Sequence, residues 1–249
     1  MKKLLITFCV AVPLVFTGVT NLKAAESPNS ETINYILKMN PGLTKGELMN
    51  SAKQAAKQSK KSTEQVLNEV KSELKKQENL TRNEEAKSIT FSAAGSSSSS
   101  SGSKKQIGTS SKGNIFYTPA ATIGVQHGHV GMYYTSNTIV ESVKGGVRAI
   151  KTNRVFVERN AVVKSVKVSK NKKYNSVNWG KSRVGKDGYS GNFVTNRITS
   201  HYGAKNCSKL VWSAFKMKAG IDMDKNKGYG VYPKDIRDSS YTKFVRRVD

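Results

Sequence analysis

Asn206-Cys207-Ser208-Lys209-Leu210-Val211-Trp212, continuing as Ser213-Ala214-Phe215, is the stretch whose reading decides the fold. Cys207, Leu210, Val211, Ala214 and Phe215 fall at i, i+3, i+4, i+7 and i+8, which is one apolar face of a helix. Gly220 follows the run and suits the left-handed position just past a helix end. The spacing therefore predicts a helix that carries Cys207 in its first turn and packs its inner face on a core. Two roles are open to that cysteine. A helix N-terminus favours negative charge and with it the thiolate, the nucleophilic form of the side chain. A buried cysteine also serves as a small hydrophobe.

The compartment bears on that choice. Met1-Lys2-Lys3 is a basic start, Leu4 to Val19 is an apolar run, and Leu22-Lys23-Ala24-Ala25 offers a small-residue cleavage site. Residues 1–25 thus read as a secretory signal peptide cut near Ala24 or Ala25. The run is short and broken by Pro13, which argues against an uncleaved anchor. No later stretch is apolar enough to span a bilayer, so a secreted or wall-associated protein is expected. Loss of the leader removes Cys9 and leaves Cys207 with no disulfide partner. A lone thiol in an exported chain is a candidate reactive group.

The 249 residues carry 42 Lys and Arg against 17 Asp and Glu, for a formal charge of +25. Within residues 104–249 the count is 28 against 8. A field of that sign draws polyanions. No nucleic-acid-binding motif is present, so peptidoglycan or another anionic envelope polymer is the expected partner, with no specific nucleic acid.

Residues 26–90 read as a small helical segment. Glu31 to Met39 is one helix, closed by Asn40-Pro41-Gly42. Thr44-x-x-Glu47 opens a second through Ser59, with Leu48, Ala52 and Ala55 inward. Ser62-x-x-Gln65 opens a third through about Gln77, with Val66, Leu67, Val70 and Leu74 inward. The segment shows no His, Cys or carboxylate cluster and could be a pro-segment, a docking module or a spacer. Residues 91–103, ending in a Ser/Gly run, read as a flexible linker. Residues 104–249 form the catalytic candidate. Strands are predicted near Asn114–Thr118, His129–Tyr134, Thr138–Val143, Val147–Lys151, Val155–Glu158 and Val162–Val168. A helix is predicted over Lys172–Val184, before the Cys207 helix. Strands and helices are segregated, so the class is α+β.

A cysteine nucleophile needs a base and a third polar group to hold that base. His127 precedes a strand in a loop, and His201 sits six residues before Cys207 in a polar loop. His129 begins a strand with Gly131 on its own face, where a glycine lets another group pack close to the imidazole. Glu141 lies on the next strand. A three-residue turn, Thr135-Ser136-Asn137, puts Glu141 on the face of His129, whereas a two-residue turn, Ser136-Asn137, points it away. Three scattered His and one mature Cys offer no metal-ligand spacing, so neither metal nor cofactor is expected.

His129-Val130-Gly131-Met132-Tyr133-Tyr134 and Ile139-Val140-Glu141-Ser142 resemble the histidine strand and the third-residue strand of NlpC-type cell-wall cysteine hydrolases. Asn206-Cys207-Ser208-Lys209-Leu210-Val211-Trp212 resembles their nucleophile helix. Here the cysteine follows the histidine, an order similar to the circularly permuted papain-like branch, the YiiX/YaeF-like amidases. Gly113-Asn114-Ile115 looks like that branch's Gly-Asp-Ile opening, with Asn114 in place of Asp. Gly185-Lys186-Asp187-Gly188-Tyr189 is similar to its Gly-Lys-Pro-Tyr segment, with an extra glycine and no proline. Val231-Tyr232-Pro233-Lys234-Asp235-Ile236 is similar to its late Pro-x-Asp-Ile motif. The resemblance covers residues 113–249.

It implies a permuted papain-like domain in which Cys207 attacks a carbonyl, His129 shuttles the proton and Glu141 orients the imidazole. A thioacyl-enzyme is then released by water. The expected function is an exported amidase or endopeptidase acting on peptidoglycan. Alternatives are a lipid acyl hydrolase or acyltransferase of the same branch, a non-catalytic cationic wall-binding protein, and an effector protease. Tyr189 reads as a packing residue or a wall of the site.

Overall fold

The computed structural model describes residues 30–93, 104–119, 121–122, 125–126 and 128–248. The leader, the Ser/Gly run from residue 94 and His127 lie outside the described residues.

The three helices expected at the front of the chain form where their start signals stand. These are α1 (Ser30–Lys38), α2 (Lys45–Ser59) and α3 (Thr63–Ala93). Thr44 caps α2 through a reciprocal pair, its hydroxyl accepting from the Glu47 N–H and the Glu47 carboxylate accepting from the Thr44 N–H at 2.9 Å. Ser62 and Gln65 make the same exchange before α3. The third helix runs well past Gln77, because no Gly or Pro interrupts the sequence before Gly95. Its extra turns are anchored from outside, where Thr81 accepts from Lys234 at 2.6 Å and Glu84 pairs with Lys234 and Arg237.

The remaining chain is α+β. Its strands are β1 (Lys105–Gln106), β2 (Ile115–Thr118), β3 (Ala121–Thr122), β4 (Val125–Gln126), β5 (His129–Thr135), β6 (Thr138–Val143), β7 (Gly146–Lys151), β8 (Phe156–Val157) and β9 (Ala161–Val166). Helices α4 (Lys170–Lys181), α5 (Cys207–Ala219) and α6 (Pro233–Arg237) follow, then β10 (Thr242–Val248). Six strands make one antiparallel sheet in the order β10-β9-β2-β5-β6-β7. β10 and α6 were not expected. β10 reads as charged tail because a bulge between Phe244 and Arg246 breaks its alternation and leaves Phe244 and Val245 facing solvent.

The pleat sorts the sheet's side chains. Ile115, Tyr117, Val130, Met132 and Val140 join the core built on α5. Phe116, Tyr133 and Ile139 point to the other face, where Ile107, Val155 and Val157 cover them. The main core takes in the front helices as well. Ile36, Leu48, Val66, Leu67 and Leu74 of the front helices share it with Phe193, Val231, Tyr232 and Phe215.

The seam between the front helices and the rest also holds a carboxyl group that pairs with no cation among the described residues. Glu73 on α3 accepts from the Tyr229 N–H at 3.1 Å. Burial, and then the nearby Asp224 and Asp235, push its pKa up to about 8 although backbone donors oppose them. A carboxyl with a raised folded pKa gives stability that is present at low pH and lost as pH rises through that value. We therefore expect thermal stability to fall as pH rises from about 4.5 to about 8 and to level off above that, and Glu73→Gln to flatten the decline. Melting curves of the two proteins across that range check it.

Candidate active site

Cys207 is the first residue of α5 and His129 the first of β5, so each stands at the end of its element where helix and sheet meet. Asn206 caps the helix, its side-chain oxygen accepting from the Lys209 N–H at 2.9 Å. Asn206 is itself fixed, accepting from Asn196 at 3.2 Å and donating to the Asn192 carbonyl at 2.8 Å. Asn196 in turn exchanges hydrogen bonds with both backbone groups of Val231. The chain before Cys207 is braced from the sheet as well: the Ser142 hydroxyl donates to the Lys205 carbonyl at 2.6 Å. The Lys205 ammonium pairs with Asp187, and neither side chain reaches solvent appreciably.

His129 and Glu141 come together by a route that neither turn expected from the sequence provides. The turn is the two-residue one, Ser136-Asn137, between β5 and β6. Taken alone it would point Glu141 away from His129. A bulge between Tyr133 and Thr135 inserts one extra residue and shifts the register, so that Met132 faces Val140 and Tyr133 faces Ile139. Glu141 thereby falls beside Gly131 on the face of His129, and His129 Nε2 meets Glu141 Oε2 at 2.7 Å. Gly131 is required there. A Cβ at that position would lie 2.5 Å from the Phe116 ring and 3.2 Å from Glu141 Cβ.

Glu141 is 3% exposed, and both its oxygens are engaged. Arg148 Nε and Nη2 donate to Oε1 at 2.9 and 2.7 Å. Burial works to raise this carboxyl's pKa, but His129 and Arg148 hold it below the usual range. Arg148 was not anticipated. Its signal was the turn through Gly145 and Gly146, both at positive φ, which pairs Val143 with Gly146 and so places Arg148 opposite Glu141.

With Nε2 on Glu141, Nδ1 is the imidazole nitrogen that remains for Cys207, which lies close enough to act on the ring. Burial opposes charge on the ring, yet the Cys207 sulfur and Glu141 outweigh it, and the His129 pKa is pushed up to about 10. The Phe116 ring lies against the imidazole with centroids 5.7 Å apart. Burial, and after it Cys207, push the pKa of the partly exposed Tyr189 up to about 12.

The other candidates separate from the site. His201 stacks on Trp212 at 5.1 Å and pairs its Nδ1 with the Ser213 hydroxyl at 2.9 Å, on α5 beyond the cysteine. Burial and the nearby lysines lower its pKa. Asn114 donates to Ser110 at 2.8 Å and its carbonyl accepts from Tyr133, near the far end of β5 from His129. Asp235 starts α6 by accepting from the Tyr232 N–H and faces Gln77 and Asn226.

No protein-family model matches the chain. The uncharacterised protein YycO of Bacillus subtilis strain 168 is 44% identical over 252 residues, an alignment that covers all of this chain and 99% of the relative. Among solved structures, the metalloprotein yiiX of Escherichia coli O157:H7 aligns with a TM-score of 0.42 and 17% identity, over 57% of this chain and 98% of its own. Among the described residues of this chain, no group of three or more His, Cys, Asp or Glu is placed to hold a metal ion.

Among the described residues, Arg148→Met would leave the buried Glu141 with His129 as its one charged partner. Its carboxyl pKa should then rise, and the acid limb of Cys207 reactivity should move to higher pH. Rates of thiol alkylation across pH, compared with the parent chain, measure that shift.

Proposed function

The chain belongs to the YycO family, and from its site we propose that it is an exported cysteine hydrolase of permuted papain-like design, cleaving a peptide or amide bond in peptidoglycan. One observation carries the proposal: a single imidazole joins a cysteine at a helix start to a buried, ionised glutamate 2.7 Å away. Cys207 is the nucleophile in this scheme. His129 takes up the thiol proton at Nδ1 and later returns it to the leaving amine. Glu141, held by Arg148, fixes the ring's orientation and favours the imidazolium.

The attack forms a C–S bond and pushes the carbonyl electrons onto oxygen. The first-turn N–H groups of a helix have no acceptor within the helix. Asn206 takes up that of Lys209, and the Cys207 N–H is the proposed donor to the oxyanion. Collapse expels the amine with a proton from His129 and leaves a thioester. Water, deprotonated by the same imidazole, then releases the acid and restores the thiol. The Lys- and Arg-rich surface of residues 104–249 suits an anionic envelope polymer, and the apolar leader suits export. Among the described residues no helix is long and apolar enough to cross a membrane.

Two experiments test the proposal. At neutral pH His129 carries its proton, its pKa pushed up to about 10 by Cys207 and Glu141 against burial, and alkylation of Cys207 should be fast there. In His129→Ala it should be slow at neutral pH and climb as an ordinary thiol does. Equal profiles, or the same loss from His201→Ala, would sink the base assignment. Separately, the full chain and Cys207→Ala are incubated with purified peptidoglycan and with anionic phospholipid vesicles. Soluble wall fragments from the parent alone are the expected result. Fatty-acid release would point to the acyl hydrolase, and equal binding without release by either protein to a wall-binding module.

A further inference from the structure

The front helices touch the rest of the chain at the segments that hold the nucleophile. The buried Ser51 hydroxyl of α2 donates to the Leu48 carbonyl at 3.0 Å and accepts from the Thr195 hydroxyl at 2.7 Å. Thr195 Oγ1 accepts from the Asn192 amide at 2.8 Å, and the Asn192 carbonyl accepts from Asn206, the cap of the nucleophile helix. Thr195 and Asn206 are 0% exposed, so water does not take the place of their partners.

Further contacts secure the same surface. The Gly42 carbonyl would lie 2.6 Å from a Cβ at Gly191, so the two backbones meet where no side chain fits. Glu73 and Glu69 accept from the Tyr229 N–H and hydroxyl at 3.1 and 3.0 Å. Gln77 donates to Asp235 at 3.2 Å, and Glu84 pairs with Lys234 and Arg237. Beneath these bonds the apolar side chains of both parts form one core. Among the described residues the front helices hydrogen-bond or pair with Thr195, Tyr229, Gly230, Lys234, Asp235 and Arg237, and not with Cys207, His129 or Glu141. The His129 side chain keeps 22% of its exposure. A segment that blocked the site would show the opposite pattern.

Resting on the proposed role of Cys207, we infer that the front helical segment is a permanent part of the enzyme rather than a removable pro-segment. Through Ser51, Thr195 and Asn192 it positions the start of the nucleophile helix. Thr195 acts through Asn192 and Asn206 and is a positioning residue. The Ser/Gly run before residue 104 then serves as a connection whose cleavage changes nothing, because the two pieces are held by a shared core.

The test uses the full chain with a specific protease site placed between Gly95 and Ser103. After cutting, the two pieces should co-elute in size-exclusion chromatography, and Cys207 should alkylate at the uncut rate. Separation of the pieces overturns the inference whatever the rate, and so does faster alkylation after cutting. In the uncut chain, Thr195→Val should slow alkylation roughly two- to tenfold, the range expected from losing one buried hydrogen bond. Thr195→Ser, which keeps the hydroxyl, should restore the rate, and Ser51→Ala should lower it in the same direction. A parent rate in Thr195→Val and Ser51→Ala overturns the positioning role. Failure of the nucleophile assignment shows separately, as a parent rate in uncut His129→Ala, while co-elution scores docking with no reference to catalysis.

Discussion

Glu141 is an ionised carboxylate with 3% of its side chain exposed, and a charge taken that far out of water survives only if both its oxygens meet donors. Arg148 covers one oxygen with two N–H groups, and His129 covers the other. That requirement dictates the strand register on both sides. The bulge in β5 brings Glu141 beside Gly131, the glycine turn before β7 brings Arg148 opposite, and Gly131 clears the space between Phe116 and Glu141. Shift either hairpin by one residue and the carboxylate loses a partner and faces the wrong side.

The helix that begins at Cys207 obeys the same rule with neutral groups. Its first turn is buried, so its N–H groups need acceptors other than water. Asn206 supplies one and is in turn gripped by Asn192 and Asn196, while Ser208 donates to the Val231 carbonyl at 2.6 Å. The chain just upstream is tied to the sheet through Ser142 and to the loop at Asp187 through Lys205. Groups held this way lose little entropy when a reacting atom arrives, which is what a catalytic constellation needs.

Much of this was legible residue by residue. The capping pairs at Thr44 and Ser62, the apolar faces of the front helices and the core strands follow from contacts within a few positions. The cysteine at a helix start and the glycine beside a strand histidine were readable for the same reason. Arg148 was readable in principle from the glycine turn, but only by carrying the register across it. The end of α3 was misjudged because its last turns find their partners in Lys234 and Arg237, more than a hundred residues away. β10 escaped because a bulge erased its alternation.

By itself the sequence determined where helices begin and that the class is α+β, since these depend on side-chain type and short-range spacing. Only the tertiary structure decided that Glu141 faces His129. Parity across a hairpin turns on one bulged residue that no local pattern announces. It also decided that the front helices share a core with the site, because burial between distant segments is a property of the packed chain alone.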